Sequence, residues 1–442
     1  MRIIDILIVG GGAAGMLAAV AARDRARKLR IPDKDFSIVI LERNRLPGEK
    51  IRISGGGRCN VTHAAEPDEL LAKGFLRKGE QRFLRHALHA FGSDDLLAML
   101  ERQGVRCEAR PDGKVFPVAG LSASDVVRAF ERILEECSVR LEYGCMVSSV
   151  ERTENAFAVR ADDRTFRASV LILATGGVSY PSTGSRGDGL FFARRLGHSV
   201  VRASPALAPV LTMDTPPSEL AGVSLHSAAF IASSGGKQTS RRGDVLFTHR
   251  GLSGPAVLSL SREVAELFGT QGNCLLFADL FADLDQDALQ ETLLAETRRS
   301  GAKMVRKFLQ HCPDGPPAAL IPFIMRHAGI PADVQLSGLE RGKRISLLQT
   351  LKRFPLGSVK SVPLEKGEVS AGGVSLGEVN PKTMQSRIVP GLFFAGELLD
   401  YAGEIGGFNL QAAFSTGWLA GREASGEGGD RRRESGDRRN EF

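Results

Sequence analysis

The chain has 442 residues, 43% of them apolar and 25% charged, with a formal net charge of +7, the proportions of an ordinary soluble chain of two or three domains. No window of eighteen apolar residues occurs, which excludes a helical membrane span, and the start "MRIIDILIVGGG" lacks a cleavage site, so no secretory leader is expected. Six cysteines at 59, 107, 137, 145, 274 and 312 show neither CxxC nor zinc spacing, so no metal is expected and the thiols read as reduced, in the cytoplasm.

In chain order, "IDILIVG" reads as a buried strand, "GAAGMLAAVAARDRARKLR" as an Ala-rich helix and "FSIVILER" as a second buried strand, together a β-α-β unit. Residues 80–103 carry a helical pattern, "CEARPDGKVFPVA" reads as a hairpin, and 123–137 as a helix. Short strands follow at 139–151 and 156–167, then "SVLILATGG", a third buried strand that runs into glycine. From 196 to 284 strands alternate with turns such as "SSGGKQ" and "RRGD", and residues 285–365 read as mostly helical. Buried-strand texture returns at 366 with "GLFFAGE" and a helix in "GGFNLQAAFSTGWLAG". The tail 423–442 is charged and poor in apolar residues, so disorder is expected there.

Fifty glycines exceed average usage and cluster at 10–15, 54–57, 176–189 and 403–407. Gly10, Gly12 and Gly15 form GxGxxG between a strand and a helix, the context that makes the motif meaningful. Gly10 permits the turn, Gly12 lets a diphosphate reach the helix N-terminus, and Gly15 permits close packing. Glu42 closes the second strand, where an acid hydrogen-bonds ribose hydroxyls and disfavours a 2′-phosphate. An NAD site does not need a remote C-terminal segment. Two distant strands running into glycine, "LILATGG" and "GLFFAGE", therefore favour FAD. The helix after Gly407 could place its N-terminus at the flavin pyrimidine edge.

The stretches "DILIVGGGAAG", "GEKIRISGGGRCNVTH", "ATGGVSYPSTGSRGDG", "LFTHRGLSGPA", "SAGGVSLGEVNPKTM" and "GLFFAGELLDYAGEIGGFNLQAAFSTGWLAG" span residues 5–421. On them the chain resembles the bacterial NAD(P)/FAD-dependent oxidoreductases that include aminoacetone oxidases and bile-acid-pathway flavin reductases. Phe408 departs from the pattern, since relatives often carry Tyr there. The resemblance implies a glutathione-reductase-like FAD-binding Rossmann domain of α/β class, interrupted by a β-barrel-like plus helical insert. Its parts would be 1–195 and 366–422, with the insert at 196–365.

The resemblance also implies non-covalent FAD wrapped by the segment after the second strand. Gly55, Gly56 and Gly57 would let backbone pass the cofactor, Lys50 and Arg58 would offset diphosphate charge, and Ser54 and Asn60 would hydrogen-bond. It extends the contact set to Ala14, Arg43, Val147, Ala174, Thr175, Gly176, Gly396, Glu397, Asn409, Leu410 and Gln411. Cys59 reads as a packed thiol, because a flavin disulfide reductase needs a second cysteine on the same segment and the next is Cys107. His63 reads as a hydrogen-bonding residue rather than a covalent flavin link.

For chemistry, Tyr180 in "YPSTGSRGDG" and His249 in "LFTHRGLSGP" are the candidate proton donors. The loop 180–188 and the turn at His249 are expected to face the flavin ring. The expected reaction is hydride transfer between flavin N5 and a small organic molecule of amine, ketone or enone type. No second strand–GxGxxG–helix unit occurs, so NAD(P)H as a transient donor and O2 as an oxidant both stay open. The rival reading is a flavin-bound nucleic-acid-associated or regulatory protein without turnover. Aromatics at 6% and no basic-aromatic stripe speak against it, so no nucleic-acid partner is expected. Nothing in the sequence fixes the oligomeric state.

Overall fold

The computed structural model describes residues 3–313 and 315–437, with side chains up to residue 426. Two compact units form, one from Met1–Ala203 with Val369–Phe442, the other from Ser204–Glu368. The boundaries at 203/204 and 368/369 compare with expected ones at 195/196 and 365/366.

The elements that build the first unit's site are, in chain order, β1 (Ile4–Val9), α1 (Ala13–Lys28), β2 (Ile38–Leu41), α2 (Glu49–Ile53), β3 (Thr62–His63), β4 (Arg164–Leu173), α3 (Asp188–Arg195), β5 (Val369–Val374), β6 (Leu392–Phe394) and α4 (Phe408–Asp437). In the main sheet β1 lies between β2 and β4, parallel to both, with Ile6 opposite Ile38 and Val170, and Val9 opposite Leu41 and Leu173. Every residue of β1 and β2 is buried, as strands covered on both faces must be. The other edge of β4 is divided. Its first half pairs antiparallel with Phe157–Ala161, and its last residues, Leu171–Leu173, pair parallel with β6. The C-terminal segment thus enters the sheet beside the ATGG turn.

The Ala-rich composition of α1 follows from what lies on it. A Cβ at Gly417 would strike Ala14 O, and one at Gly421 would strike Ala18 O. Ser425 Oγ donates to Ala22 O at 3.0 Å. Residues 14, 18 and 22 therefore meet 417, 421 and 425 along two i, i+4 rows, with backbone nearly against backbone. Arg23 is buried at the far end of α1, and its guanidinium donates to Cys137 O and Phe36 O, both at 2.8 Å.

In the second unit six strands close into a barrel: Val210–Thr212, Gly251–Ser253, Lys237–Thr248, Ser224–Ser234, Leu275–Asp279 and Phe354–Ser361, the last pairing back to the first. The barrel corrects two expectations. Phe354–Ser361 falls in the stretch read as helical; its buried Phe354 and Leu356 alternate at the period of a strand, interrupted by Gly357. Pro255–Gln271, in the stretch read as strands, is a helix that buries Ala256, Val257, Leu260, Ser261 and Val264, spaced at helical period with Pro at its start. A third correction concerns the tail. Helix α4 continues through residues expected to be disordered, to Asp437, and residues 438–442 lie outside the described ones. Once a helix is nucleated by packing, each added residue gains a backbone hydrogen bond, and Arg and Glu favour it.

Candidate active site

The GxGxxG turn joins β1 to α1. Gly10 N donates to Leu41 O at 2.9 Å, its φ is +107°, and a Cβ there would press on Ala174 O. A Cβ at Gly15 would strike Gly10 O, whereas one at Gly12 would meet nothing within 4 Å. The first helical bond of α1 is Met16 N to Gly12 O, 3.0 Å, and no side chain caps Gly12. The first-turn amides of α1 therefore point out of the helix beside open space, a cradle for an anion.

Glu42 stands at the end of β2, only 6% exposed. Its carboxylate accepts from Gly11 N at 2.7 Å and from Asn44 N at 2.8 Å. Burial raises its pKa above the usual carboxylate value, with those two amides opposing the shift. Both oxygens keep further lone pairs for hydroxyl donors.

The segment after β2 is held by hydrogen bonds and ring contacts within the fold. Gly55 and Gly56 are left-handed, at φ 56° and 66°, inside the turn that Ser54 ties to Ile51 O (2.8 Å). Cys59 is fully buried with its thiol pushed up to about 12 by that burial, so it is a packed thiol. Asn60, with its amide oriented to satisfy both ends, donates to Thr62 O and accepts from Gly407 N, each at 3.0 Å. Thr62 Oγ1 donates to Gln411 Oε1 at 2.6 Å, and Gln411 Nε2 donates onward to Phe91 O and Ser415 Oγ. His63 stacks on Phe408 with ring centroids 4.5 Å apart, and its Nδ1 lies 3.2 Å from Gly406 O. Asn409 brackets Gly403, accepting from its N–H at 2.8 Å and donating to its carbonyl at 2.9 Å. Asn60, Asn409 and Gln411 thus brace the loop entering α4, while Leu410 is half-buried beside them. Arg58 is exposed, 5.5 Å from the Phe116 ring centre, with Arg110 over the same ring at 4.0 Å.

A second polar cluster joins four parts of the chain. Lys50 Nζ lies 2.6 Å from Glu397 Oε2 and 2.9 Å from Ser179 Oγ. Glu397 Oε1 accepts from Ser179 Oγ (3.1 Å), Ser370 N (2.9 Å) and Ser370 Oγ (3.0 Å). Ser179 follows the ATGG turn and Ser370 lies on β5. Neither was expected, because a lone serine beside glycines carries no spacing signal. Ala174 N continues the sheet to Val9 O at 2.9 Å, Thr175 and Gly176 follow it, and Gly396 N donates to Thr416 Oγ1 at 3.0 Å. Val147 begins the strand Val147–Arg152, and Met146 Sδ before it lies 3.3 Å from Arg43 Nη2.

The loop 180–188 goes where the sequence did not suggest. Asn44 Nδ2 donates to Thr183 O at 2.9 Å, and Arg43 Nη1 donates to Gly184 O at 3.2 Å and pairs with Asp188. The loop's far half is therefore tied to the end of β2, beside the buried acid Glu42. Tyr180, half-buried, opens it in a left-handed conformation, φ 47°. His249 is exposed at the hairpin tip between Lys237–Thr248 and Gly251–Ser253 of the barrel, where Thr248 Oγ1 donates to Gly251 O at 3.0 Å. Among the described residues no group of three or more His, Cys, Asp or Glu is arranged to hold a metal, and no helix is long and apolar enough to cross a membrane.

The HI0933-like protein Rossmann domain family matches residues 4–423. The chain belongs to that family. With the HI0933-like family come the FAD-binding Rossmann fold and the oxidoreductase class that the motifs led us to expect. The chain is 31% identical over 420 residues to a 3-dehydro-bile acid delta(4,6)-reductase of Clostridium scindens, covering 95% of this chain and 98% of the relative. It is 31% identical over 433 residues to a ribosomal RNA dihydrouridine synthase of Escherichia coli, covering 96% and 98%. The second name runs against the expectation that nucleic acid plays no part. Among solved structures, a 3-ketosteroid delta1-dehydrogenase of Sterolibacterium denitrificans shares the fold with a TM-score of 0.53 at 13% identity, covering 96% of this chain and all of that one. The open Gly12, the uncapped α1 and the buried Glu42 fit the diphosphate and ribose of a dinucleotide.

Proposed function

We propose that this protein is an FAD-dependent reductase of carbon–carbon double bonds conjugated to a carbonyl. The observation that carries the reading is the pair of relatives at equal identity and near-full coverage. A 3-dehydro bile acid with Δ4,6 unsaturation is a conjugated ketone, and the double bond lost when uridine becomes dihydrouridine is conjugated to a ring carbonyl. Both names describe loss of a carbon–carbon double bond conjugated to a carbonyl, directly in uridine and through a second double bond for the outer bond of the dienone.

Bound FAD would supply the hydride chemistry, and a transiently docking nicotinamide would be the class of donor. The α1 amides hold the diphosphate, Glu42 the adenosine ribose, and Glu397 with Lys50 the ribityl hydroxyls. The first-turn amides of α4 offset negative charge at the pyrimidine edge. Proton delivery to the substrate is assigned to Tyr180, the titratable side chain that opens the loop after β4. The substrate is a small cyclic enone.

A second reading takes uridine in ribosomal RNA as the substrate, favoured by the relative named for that reaction and by the net charge of +7. The deciding experiment photoreduces the purified protein without oxygen and mixes it with a 4,6-dien-3-one steroid, unmodified ribosomal RNA or O2, following flavin reoxidation, and separately mixes the oxidised protein with an amine, following flavin reduction. Fast reoxidation by the dienone or the RNA supports conjugated-bond reduction and tells the two readings apart. Reoxidation only by O2 after reduction by an amine would overturn both.

A further inference from the structure

We infer that the loop from Gly176 to Asp188 is a strap across the dinucleotide crevice, and that the Arg43–Asp188 pair fastens it over the adenosine half and so sets the preference for FAD over shorter flavins. The inference rests on the FAD reading above.

Topology supplies the first argument. β1 lies between β2 and β4, and all three are parallel, so their carboxyl ends line one edge in the order β2, β1, β4. The loop leaves from the end of β4, where a Cβ on Gly176 would come 2.9 Å from Ser185 Oγ. One residue before Ser185 the loop touches the end of β2, where a Cβ on Gly184 would come 2.7 Å from Asn44 Nδ2. To join those ends the loop passes over the end of β1, which is where the GxGxxG turn opens. Dinucleotides bind outside the carboxyl ends of such strands.

The second argument is the fastening. Three polar links converge on the residues just after Glu42: Asn44 to Thr183 O, Arg43 to Gly184 O, and Arg43 to Asp188. Thr183 also closes on Tyr180 O through its N–H (2.9 Å) and its Oγ1 (2.8 Å). Tyr180 is left-handed at φ 47°, which is costly for a residue with a side chain, and Gly184 and Gly187 take 94° and 84° freely, so the loop has a defined shape. A loop that only needed to reach α3 would not require that shape or those links. In this assignment Arg43 is a positioning residue whose guanidinium holds the strap, rather than a direct cofactor contact.

The test measures the affinity of the full-length apo-protein for FAD and, separately, for ADP, which carries the adenosine diphosphate without flavin. Arg43→Gln and Asp188→Asn should each weaken both ligands in parallel, by about tenfold for a partly exposed charged hydrogen bond. The double variant should be no weaker than either single one, and the reversed pair Arg43→Asp with Asp188→Arg should recover most of the loss. If Arg43→Gln does not fold, Asp188→Asn and Asp188→Ala carry the same comparison. Unchanged affinities overturn the strap, and so does a loss of FAD affinity with ADP retained. A wild-type protein that binds neither ligand overturns the cofactor reading itself, and the strap with it.

Discussion

Lys50 Nζ sits 2.6 Å from Glu397 Oε2, across 347 residues of sequence. The first belongs to the short helix after β2 and the second to the turn after β6, so the pair ties the two halves of the first unit together at the ends of their strands. The side chains are 24% and 14% exposed, which makes them neither a surface pair nor a dry one.

Removing one partner should therefore cost more than removing both. Lys50→Met leaves Glu397 facing serine donors alone, and a loss of about 1–3 kcal/mol in unfolding free energy is expected. Lys50→Met with Glu397→Gln should recover part of it. Denaturant unfolding of the four proteins checks the cycle. Additive losses would mean that the pair is not coupled.

Two glycines three positions apart, Gly12 and Gly15, should fail in different ways. Gly12→Val places its side chain in open space and should fold normally yet retain no flavin. Gly15→Ala drives a methyl into Gly10 O and should lose about 3 kcal/mol, the upper end for overpacking. Melting temperature and released flavin, measured on both, separate the effects. A Gly12→Val protein that purifies yellow removes the diphosphate from this turn.

Glu42 gives a pH signature with a definite sign. Its folded pKa is raised by burial, so the folded apo-protein binds this proton more tightly than the unfolded chain does. The burden of the buried carboxylate is fully present above the raised value and is relieved as pH falls through it toward the ordinary glutamate value. Relative to Glu42→Gln, the wild-type apo-protein should thus gain stability on mild acidification. Ribose hydroxyls favour the charged form, so wild-type FAD affinity should fall over the same interval while that of Glu42→Gln stays flat. Titrations at several pH values show both slopes or refute them.

His63 runs the other way. Burial lowers its folded pKa, and the same cause lowers that of His198. As pH falls through the ordinary imidazole value the unfolded chain takes up protons that the folded one refuses, so stability declines with acid. His63→Asn should remove its share of that slope, and a variant with an unchanged slope would show that His63 does not titrate on unfolding.

The turn at Gly10–Gly15 and Glu42 were readable because a strand, a tight turn and a helix leave their marks within 40 residues, each with its own period. The remote strand at Leu392–Phe394 was readable for a similar reason, an apolar run ending in glycine. What escaped notice was set by partners distant in sequence. Asp188 looks like any turn acid until Arg43 is beside it, and Ser370 acquires meaning only from Glu397. In "RCNVTH" Arg58 and Asn60 read as cofactor residues, while the links of Asn60 to Gly407 and of Thr62 to Gln411 at the head of α4 left no mark in the sequence. The barrel's last strand stayed hidden because Pro355 and Gly357 obscure the alternation that its neighbours impose.

The meeting of Ala14, Ala18 and Ala22 with Gly417, Gly421 and Ser425 sets an order of assembly during synthesis. Ala22 waits for Ser425 across 403 residues, about 20–80 s at ribosomal elongation rates of about 5–20 residues per second. All six barrel strands are complete by Ser361, so that unit can close on its own while α4 is still being made. Until α4 emerges, one side of α1 has no cover. The first-born helix of the chain is thus among the last to be sheathed, and a nascent chain that has emerged from the ribosome to a point between residues 368 and 408 would carry a finished barrel and a half-dressed nucleotide fold.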